Sequence, residues 1–147
     1  MYFSENIFEK IGVVYLFDKN VYNINVNLKK GCDLMCTKNQ LTDINEKVAL
    51  LSQSVFGDKL DSTLLYGSYA RGEQTKESDI DIMVLANVSR EELSSYKKPF
   101  ISLTSELGLT YDVVVTVTLK NTETFNKYLE AVPFYANVKK EGIRIAV

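Results

Sequence analysis

The chain has 147 residues, of which 46% are apolar and 24% charged, values that fit one globular domain with its own core. No apolar run is long enough to span a membrane and the first residues lack the pattern of a signal peptide, so we expect a cytoplasmic protein. The net charge of −2 argues against tight binding to long nucleic acid. The absence of histidine excludes Ser-His-Asp, Cys-His and phosphohistidine chemistry.

The chain is expected to begin with an extension. Residues 12–17 and 21–26 alternate between apolar and polar side chains on either side of a short polar turn, which predicts a β-hairpin. Met35 is an alternative start. We therefore divide the chain into an N-terminal extension, residues 1–34, and a main domain, residues 35–147.

The main domain alternates helices and strands. Apolar residues recur every three or four positions over 37–56 and Gly57 follows, which predicts a helix. Further helices are predicted over 89–107, broken or kinked at Pro99 and ended by Gly108, over 122–130, and from Pro133 to Gly142. Strands are predicted over 63–66, 79–85, 110–118 and 143–147. This order predicts an α/β (α+β) fold in which a mixed β-sheet is flanked by helices.

The most informative segment lies between the first two strands, where residues 67–81 read GSYARGEQTKESDID. Asp79 and Asp81 are two residues apart in an alternating strand, so their side chains share one face, roughly 7 Å apart. Two carboxylates in this arrangement can hold one hard cation. Glu73 and Gln74 exclude a P-loop, which needs Lys and Ser or Thr at those positions.

A third carboxylate, Asp112, falls within the strand predicted over 110–118, between Tyr111 and three valines. A buried carboxylate without donors or a cation would cost several kcal/mol, so this position predicts a binding partner for Asp112.

These features together resemble the nucleotidyltransferase superfamily that includes DNA polymerase beta and kanamycin nucleotidyltransferase. The chain is most similar to the small stand-alone members, the minimal nucleotidyltransferases, from about Thr37 to the end. The resemblance rests on Gly67, Ser68, Arg71, Gly72, Ser78, Asp79, Asp81 and Asp112. It implies the nucleotidyltransferase fold and an enzyme that transfers a nucleoside monophosphate, AMP from ATP, to a hydroxyl group.

The resemblance also implies how the metal ions are held. Two magnesium ions would be bound, one by Asp79, Asp81 and Asp112 and the other by Asp79 and Asp81. Asp112 would also accept the proton of the attacking hydroxyl.

Nucleotide binding would fall to the turn between the first two strands. By the resemblance, Gly67 and Ser68 hold the terminal phosphates of ATP. The role of Arg71 stays open. It either neutralises the triphosphate or lies on the surface without contacting the nucleotide. Tyr66 is interpreted as a core residue and Tyr69 as a partly exposed packing residue, with stacking on a base as the alternative for both.

The acceptor and partner are implied only by the resemblance. Small stand-alone members are often encoded beside a helical HEPN-type partner, and some act as antitoxins that transfer AMP to a tyrosine of that partner. Such a partner is therefore expected, and pairing of this chain with itself through the predicted hairpin stays open. The rival hypothesis is a binding module that neutralises its partner by contact alone.

Overall fold

The computed structural model describes residues 36–146, so the hairpin predicted for the N-terminal extension lies outside the described residues. The chain divides into two units at Leu34, and the fold described below is that of the second, Met35–Val147. Over residues 36–146, no helix has both the length and the apolar character needed to cross a membrane.

A four-stranded sheet in the order β3-β2-β1-β4 organises the domain. β2 runs parallel to β3, and β1 is antiparallel to both β2 and β4. The predicted mixed sheet flanked by helices is confirmed. In chain order the elements are α1 (Lys38–Phe56), β1 (Leu60–Tyr66), α2 (Ser68–Arg71), β2 (Ile80–Ala86), α3 (Arg90–Ser95), α4 (Lys97–Tyr111), β3 (Val115–Asn121), α5 (Thr122–Lys127), α6 (Pro133–Glu141) and β4 (Ile143–Ile145).

The first helix forms where the apolar periodicity predicts it. Thr37 begins it with a capping box, in which its hydroxyl accepts from the Gln40 amide and the Gln40 side chain accepts from the Thr37 amide. Gly57 ends the helix at φ 51°, a conformation that favours glycine. Ile44 and Val48 are fully buried against the sheet.

The two faces of the sheet carry different cores. Alternate side chains of β2 point to opposite faces, so Ile80, Ile82 and Val84 join the larger cluster under α1, α3 and α4. Met83 and Leu85 join a smaller cluster with Phe125 of α5 and Val138 of α6. Asp81 shares the face of Met83 and Leu85, and therefore points to the side that α5 and α6 cover.

The region after β2 departs from the prediction at its end. Ser89 opens α3 with the expected capping box, and the helical segment is indeed in two pieces, with the break at Tyr96. Pro99 lies in the first turn of α4, where its missing amide proton costs little. Gly108 does not end the helix, which continues to Tyr111.

Candidate active site

The turn between β1 and α2 is built on a glycine conformation. Gly67 follows the last residue of β1 with φ 75° and ψ −154°, a region that is essentially restricted to glycine. A Cβ at Gly67 would lie 2.8 Å from Oδ2 of Asp81, so the backbone here packs directly against that carboxylate. Ser68 then begins the single helical turn of α2, and Gly72 ends it at φ 70°. The turn and the carboxylate therefore form one unit.

A small polar turn leads into the aspartate pair. The Ser78 hydroxyl accepts a hydrogen bond from the Thr75 amide at 2.8 Å, and the Ser78 amide donates to the Thr75 carbonyl at 3.2 Å. Asp79 follows as an exposed residue, and Asp81 is half-buried one residue into β2. The turn thus fixes where the strand begins and which face Asp81 takes.

The surroundings of Asp81 act against its negative charge. Burial raises the pKa of Asp81 above its ordinary value, and the negative charge of Asp79 raises it further. Both causes disfavour the charged form of Asp81. A cation between the two side chains would reverse this imbalance, which is the electrostatic character expected of a metal site.

Asp112 does not occupy the predicted strand. It is the C-cap of α4 in the left-handed conformation, φ 54° and ψ 47°, and it is exposed. Strand β3 begins only at Val115, and the carbonyl of Val114 is the first to accept from β2, through Ile80 at 2.8 Å. Over residues 36–146, no three His, Cys, Asp or Glu side chains are grouped to hold a metal ion. The strand placement was wrong, and the structure does not bring Asp112 to the pair.

Two threonines hold the positions on β3 that face the site. Thr116 is the cross-strand partner of Asp81 in the parallel pairing, with Tyr66 the partner on the other side. Burial raises the pKa of the Tyr66 phenol, the neighbouring Thr118 side chain acts against this, and the charge of Asp81 raises the pKa further. The sequence contains this pattern, because Thr116 and Thr118 alternate with Val115 and Val117. The prediction missed it because it started the strand at residue 110 and assigned the site position to Asp112.

The two flanking tyrosines take opposite roles from those the sequence favours. Tyr69 is buried in the larger core cluster. Tyr66 is half-buried on the Asp81 face, and its ring meets that of Phe134 edge to face at 5.6 Å between centroids. Phe134, on α6, is 44% exposed. Nothing in its local sequence marked it as a neighbour of the site.

Arg71 is held by two carboxylates. Its Nε donates to Glu73 at 2.7 Å, and a terminal nitrogen donates to Glu141 of α6 at 3.2 Å. Both carboxylates raise the pKa of the Arg71 guanidinium above its ordinary value, and Glu73 has the larger effect. Arg71 therefore ties the glycine turn to the C-terminal helix, and it would have to exchange a carboxylate for a phosphate to bind a nucleotide.

A glycine turn packed against a carboxylate pair, on a mixed sheet with helices on both faces, is the arrangement of a nucleotidyltransferase. The family profile of the nucleotidyltransferase domain matches residues 55–145, more than half of the chain. The chain belongs to this family, which confirms both the resemblance to minimal nucleotidyltransferases and the assignment as an enzyme.

Similar proteins come from an archaeon. Two Methanocaldococcus jannaschii proteins, each provisionally named a protein adenylyltransferase, share 36% identity over 90 residues and 30% over 82 residues with this chain. These matches cover 61% and 56% of this chain and 82% and 81% of the relatives. A crystal structure of a toxin-antitoxin with AMP-PNP is 24% identical, with a TM-score of 0.45, over 69% of this chain and 72% of that chain.

Proposed function

We propose that the protein is a magnesium-dependent adenylyltransferase that transfers AMP from ATP to a hydroxyl group of another protein. The contact between the Gly67 backbone and the Asp81 carboxylate, with Asp79 beside it, carries the proposal. This contact puts the glycine turn next to two carboxylates, the kind of group that holds a hard cation. Family membership supports nucleotidyl transfer, and the names of the relatives support a protein acceptor.

The aspartate pair fits magnesium by its chemistry. Mg²⁺ prefers carboxylate oxygens, and both causes that raise the pKa of Asp81 would be offset by a bound cation. Magnesium ions bound by Asp79 and Asp81 would lower the pKa of the acceptor hydroxyl and offset the charge that builds on the phosphoryl oxygens. By the resemblance two ions are needed, and in this fold the pair alone would provide the aspartate ligands.

The glycine turn is the proposed phosphate site. At Gly67 the absence of a side chain makes room for the Asp81 carboxylate beside the turn, and Ser68 at the start of α2 offers a hydroxyl and an amide to a phosphate. Arg71 is on the same turn, and its fork of donors suits a triphosphate once Glu73 or Glu141 is displaced. These residues would bind the outgoing pyrophosphate as its bond to the α-phosphorus of ATP breaks.

The second candidate function is a binding module without catalysis. The observation that favours it is the position of Asp112, which lies outside the site while Thr116 stands opposite Asp81. A site with two carboxylates in place of three would bind its metal ions less tightly. Such a protein would neutralise a partner, by the resemblance a HEPN-type protein, through contact alone.

The deciding experiment combines nucleotide binding with transfer. Calorimetry should show ATP binding in magnesium that disappears with EDTA. The protein, incubated with labelled ATP, magnesium and the product of the adjacent gene, should add an adenylyl mass to a tyrosine, serine or threonine of that product. The double variant Asp79→Asn/Asp81→Asn should lose this transfer.

The matched control is Asp58→Asn, which removes an exposed carboxylate from the turn between α1 and β1. It should leave transfer unchanged. Full transfer by the Asp79→Asn/Asp81→Asn variant would exclude the catalytic assignment. Tight binding of the partner without any added mass would favour the binding module.

A further inference from the structure

The outer edge of the sheet beside the site is formed by β3. The Ile80 amide donates to the Val114 carbonyl, and in a parallel pair every second residue of a strand bonds to the same neighbour. On β3 the backbone amides and carbonyls of the even-numbered residues therefore point toward β2. Those of Val115, Val117 and Leu119 point outward. Within the part of the chain that the structure describes, no strand pairs with this edge. It therefore offers a row of free donors and acceptors to another extended segment.

A cleft runs along this edge. Its volume is about 400 Å³, and it lies between β3 and the first half of α4. Two apolar side chains of α4 line the cleft. Phe100 forms part of the wall, and Ile101 lies at the rim, where it is 62% exposed. A cleft of this size and lining suits one or two apolar side chains of a bound segment. The lining residues are Lys97, Phe100, Ile101, Thr104, Val117, Thr118, Leu119 and Lys120.

The charged groups of the cleft are both lysines. Lys97 and Lys120 line it, and neither belongs to any of the four ion pairs found among residues 36–146. The Lys120 side chain lies on the opposite face, that of Leu85 and Asp81, where its ammonium is over the ring of Tyr135, 5.8 Å from the centroid. The β3 edge therefore has a lysine on each face, Lys97 on the cleft side and Lys120 on the Asp81 side, and it is complementary to a segment that carries acidic side chains.

The edge is also close to the carboxylate pair. Thr116 of β3 pairs with Asp81, so a strand added outside β3 would lie two strand spacings, roughly 10 Å, from Asp81. Alternate side chains of that strand would point to the face of Thr116 and Asp81. The others would point to the face of Val117 and Leu119, where the cleft begins. A long hydroxyl side chain such as tyrosine could reach the site from there.

We propose that the acceptor is an extended, acidic protein segment that adds to the β3 edge, with its hydroxyl residue facing Asp79 and Asp81 and its apolar neighbours in the cleft. This inference rests on the proposed function and names how its acceptor binds. The hydroxyl oxygen forms a bond to the α-phosphorus of ATP while the bond from that phosphorus to pyrophosphate breaks. Pyrophosphate leaves, and the hydroxyl proton passes to solvent.

A synthetic peptide tests the inference directly. The probe has a central Val-Tyr-Val with two aspartates on each side, so that acidic side chains fall on both faces, and its ends are blocked. Its partner peptide has proline in place of each valine, which prevents strand pairing. The wild-type protein with ATP and magnesium should add an adenylyl mass to the first peptide at a rate at least about tenfold above the second, the scale of one or two backbone hydrogen bonds.

Two variants locate the docking edge. Val117→Pro removes an outward amide while the ladder to β2 keeps its bonds, and it should lower peptide transfer by about tenfold or more while ATP affinity stays unchanged. Lys97→Glu, at the start of α4 where an acidic residue does not harm the helix, should also weaken transfer to the acidic peptide. Lys98→Glu is its matched control outside the cleft and should have no effect.

The outcomes separate the two proposals. If the wild type binds ATP but modifies both peptides equally or neither, or if a folded Val117→Pro and Lys97→Glu both keep full transfer, the docking inference is wrong and nucleotide binding stands. If the wild type binds no ATP in magnesium and modifies no protein hydroxyl, the proposed function itself is wrong.

Discussion

Gly67 and Asp81 are in direct contact across the β1-β2 pair, so close that a methyl group on Gly67 would lie 2.8 Å from the carboxylate oxygen. The glycine is needed twice, once for its backbone conformation and once for the space. The carboxylate and the turn can therefore not be altered independently.

Gly67→Ala should abolish ATP binding and lower the free energy of unfolding by at least about 2 kcal/mol, since strain and a clash add together. Gly72→Ala is the matched control, because it has a similar φ of 70° but no atom within 4 Å of the added Cβ. It should cost about 1 kcal/mol and keep binding. Urea unfolding and calorimetry measure both effects. Equal losses in the two variants would show that the contact with Asp81 is unimportant.

Asp81→Asn should raise the melting temperature near neutral pH in EDTA, because it removes a charge that burial and Asp79 disfavour. The pKa of Asp81 is raised in the folded state, so its charge destabilises the fold once the pH rises above the ordinary carboxyl value. The gain should vanish in acid below that value. Magnesium should raise the melting temperature of the wild type but not of the variant. A variant that melts lower than the wild type in EDTA would contradict this account.

Asp112→Asn should change turnover less than about tenfold, because the residue caps α4 and asparagine also tolerates the left-handed conformation. Steady-state rates test this variant. A loss in Asp112→Asn as large as that in Asp81→Asn would return Asp112 to the ligand set.

Thr116→Asp should tighten magnesium binding, since it places a third carboxylate opposite Asp81. Metal titrations test this variant.

Glu141→Gln should increase ATP affinity several-fold, because it releases one of the two carboxylates that hold Arg71. Arg71→Ala should lower affinity, and the double variant should behave like Arg71→Ala alone. Calorimetry in magnesium measures all three. Unchanged affinity in both single variants would assign Arg71 to the surface, the alternative that the sequence left open.

Tyr111→Phe should lower the free energy of unfolding by about 1 kcal/mol near neutral pH, because the Tyr111 hydroxyl donates to Asp43 on α1. Burial tends to raise the pKa of Asp43, but the bonds from Tyr111 and Lys47 leave it below the ordinary value. Stability from this bond is present above the ordinary carboxyl pKa and lost as the pH falls through the folded value.

The difference between the wild type and Tyr111→Phe should therefore shrink in acid, as urea unfolding at the two pH values would show. Tyr128→Phe, at an exposed tyrosine, is the control and should cost little at either pH. A difference that is the same at both pH values would show that Tyr111 stabilises the fold by packing alone.

Local pattern was sufficient for the turn and the aspartate pair, because Gly67, Asp79 and Asp81 are set by one strand-turn-strand unit. It failed at Asp112. The sequence from Tyr111 through the valines is typical of a strand, but the hydrogen bond from Tyr111 to Asp43 holds the last turn of α4 against α1. That contact spans 68 residues, and no local pattern reports it.

The position of Tyr66 gives the protein an optical reporter. The chain has no tryptophan, so its near-ultraviolet absorption comes mainly from its nine tyrosines. Burial raises the pKa of Tyr66 and the charge of Asp81 raises it further, so a cation on that carboxylate would let Tyr66 ionise at a lower pH. An alkaline titration of tyrosinate absorbance, with and without magnesium, would then read the occupancy of the site without a label, and Tyr66→Phe would remove the signal.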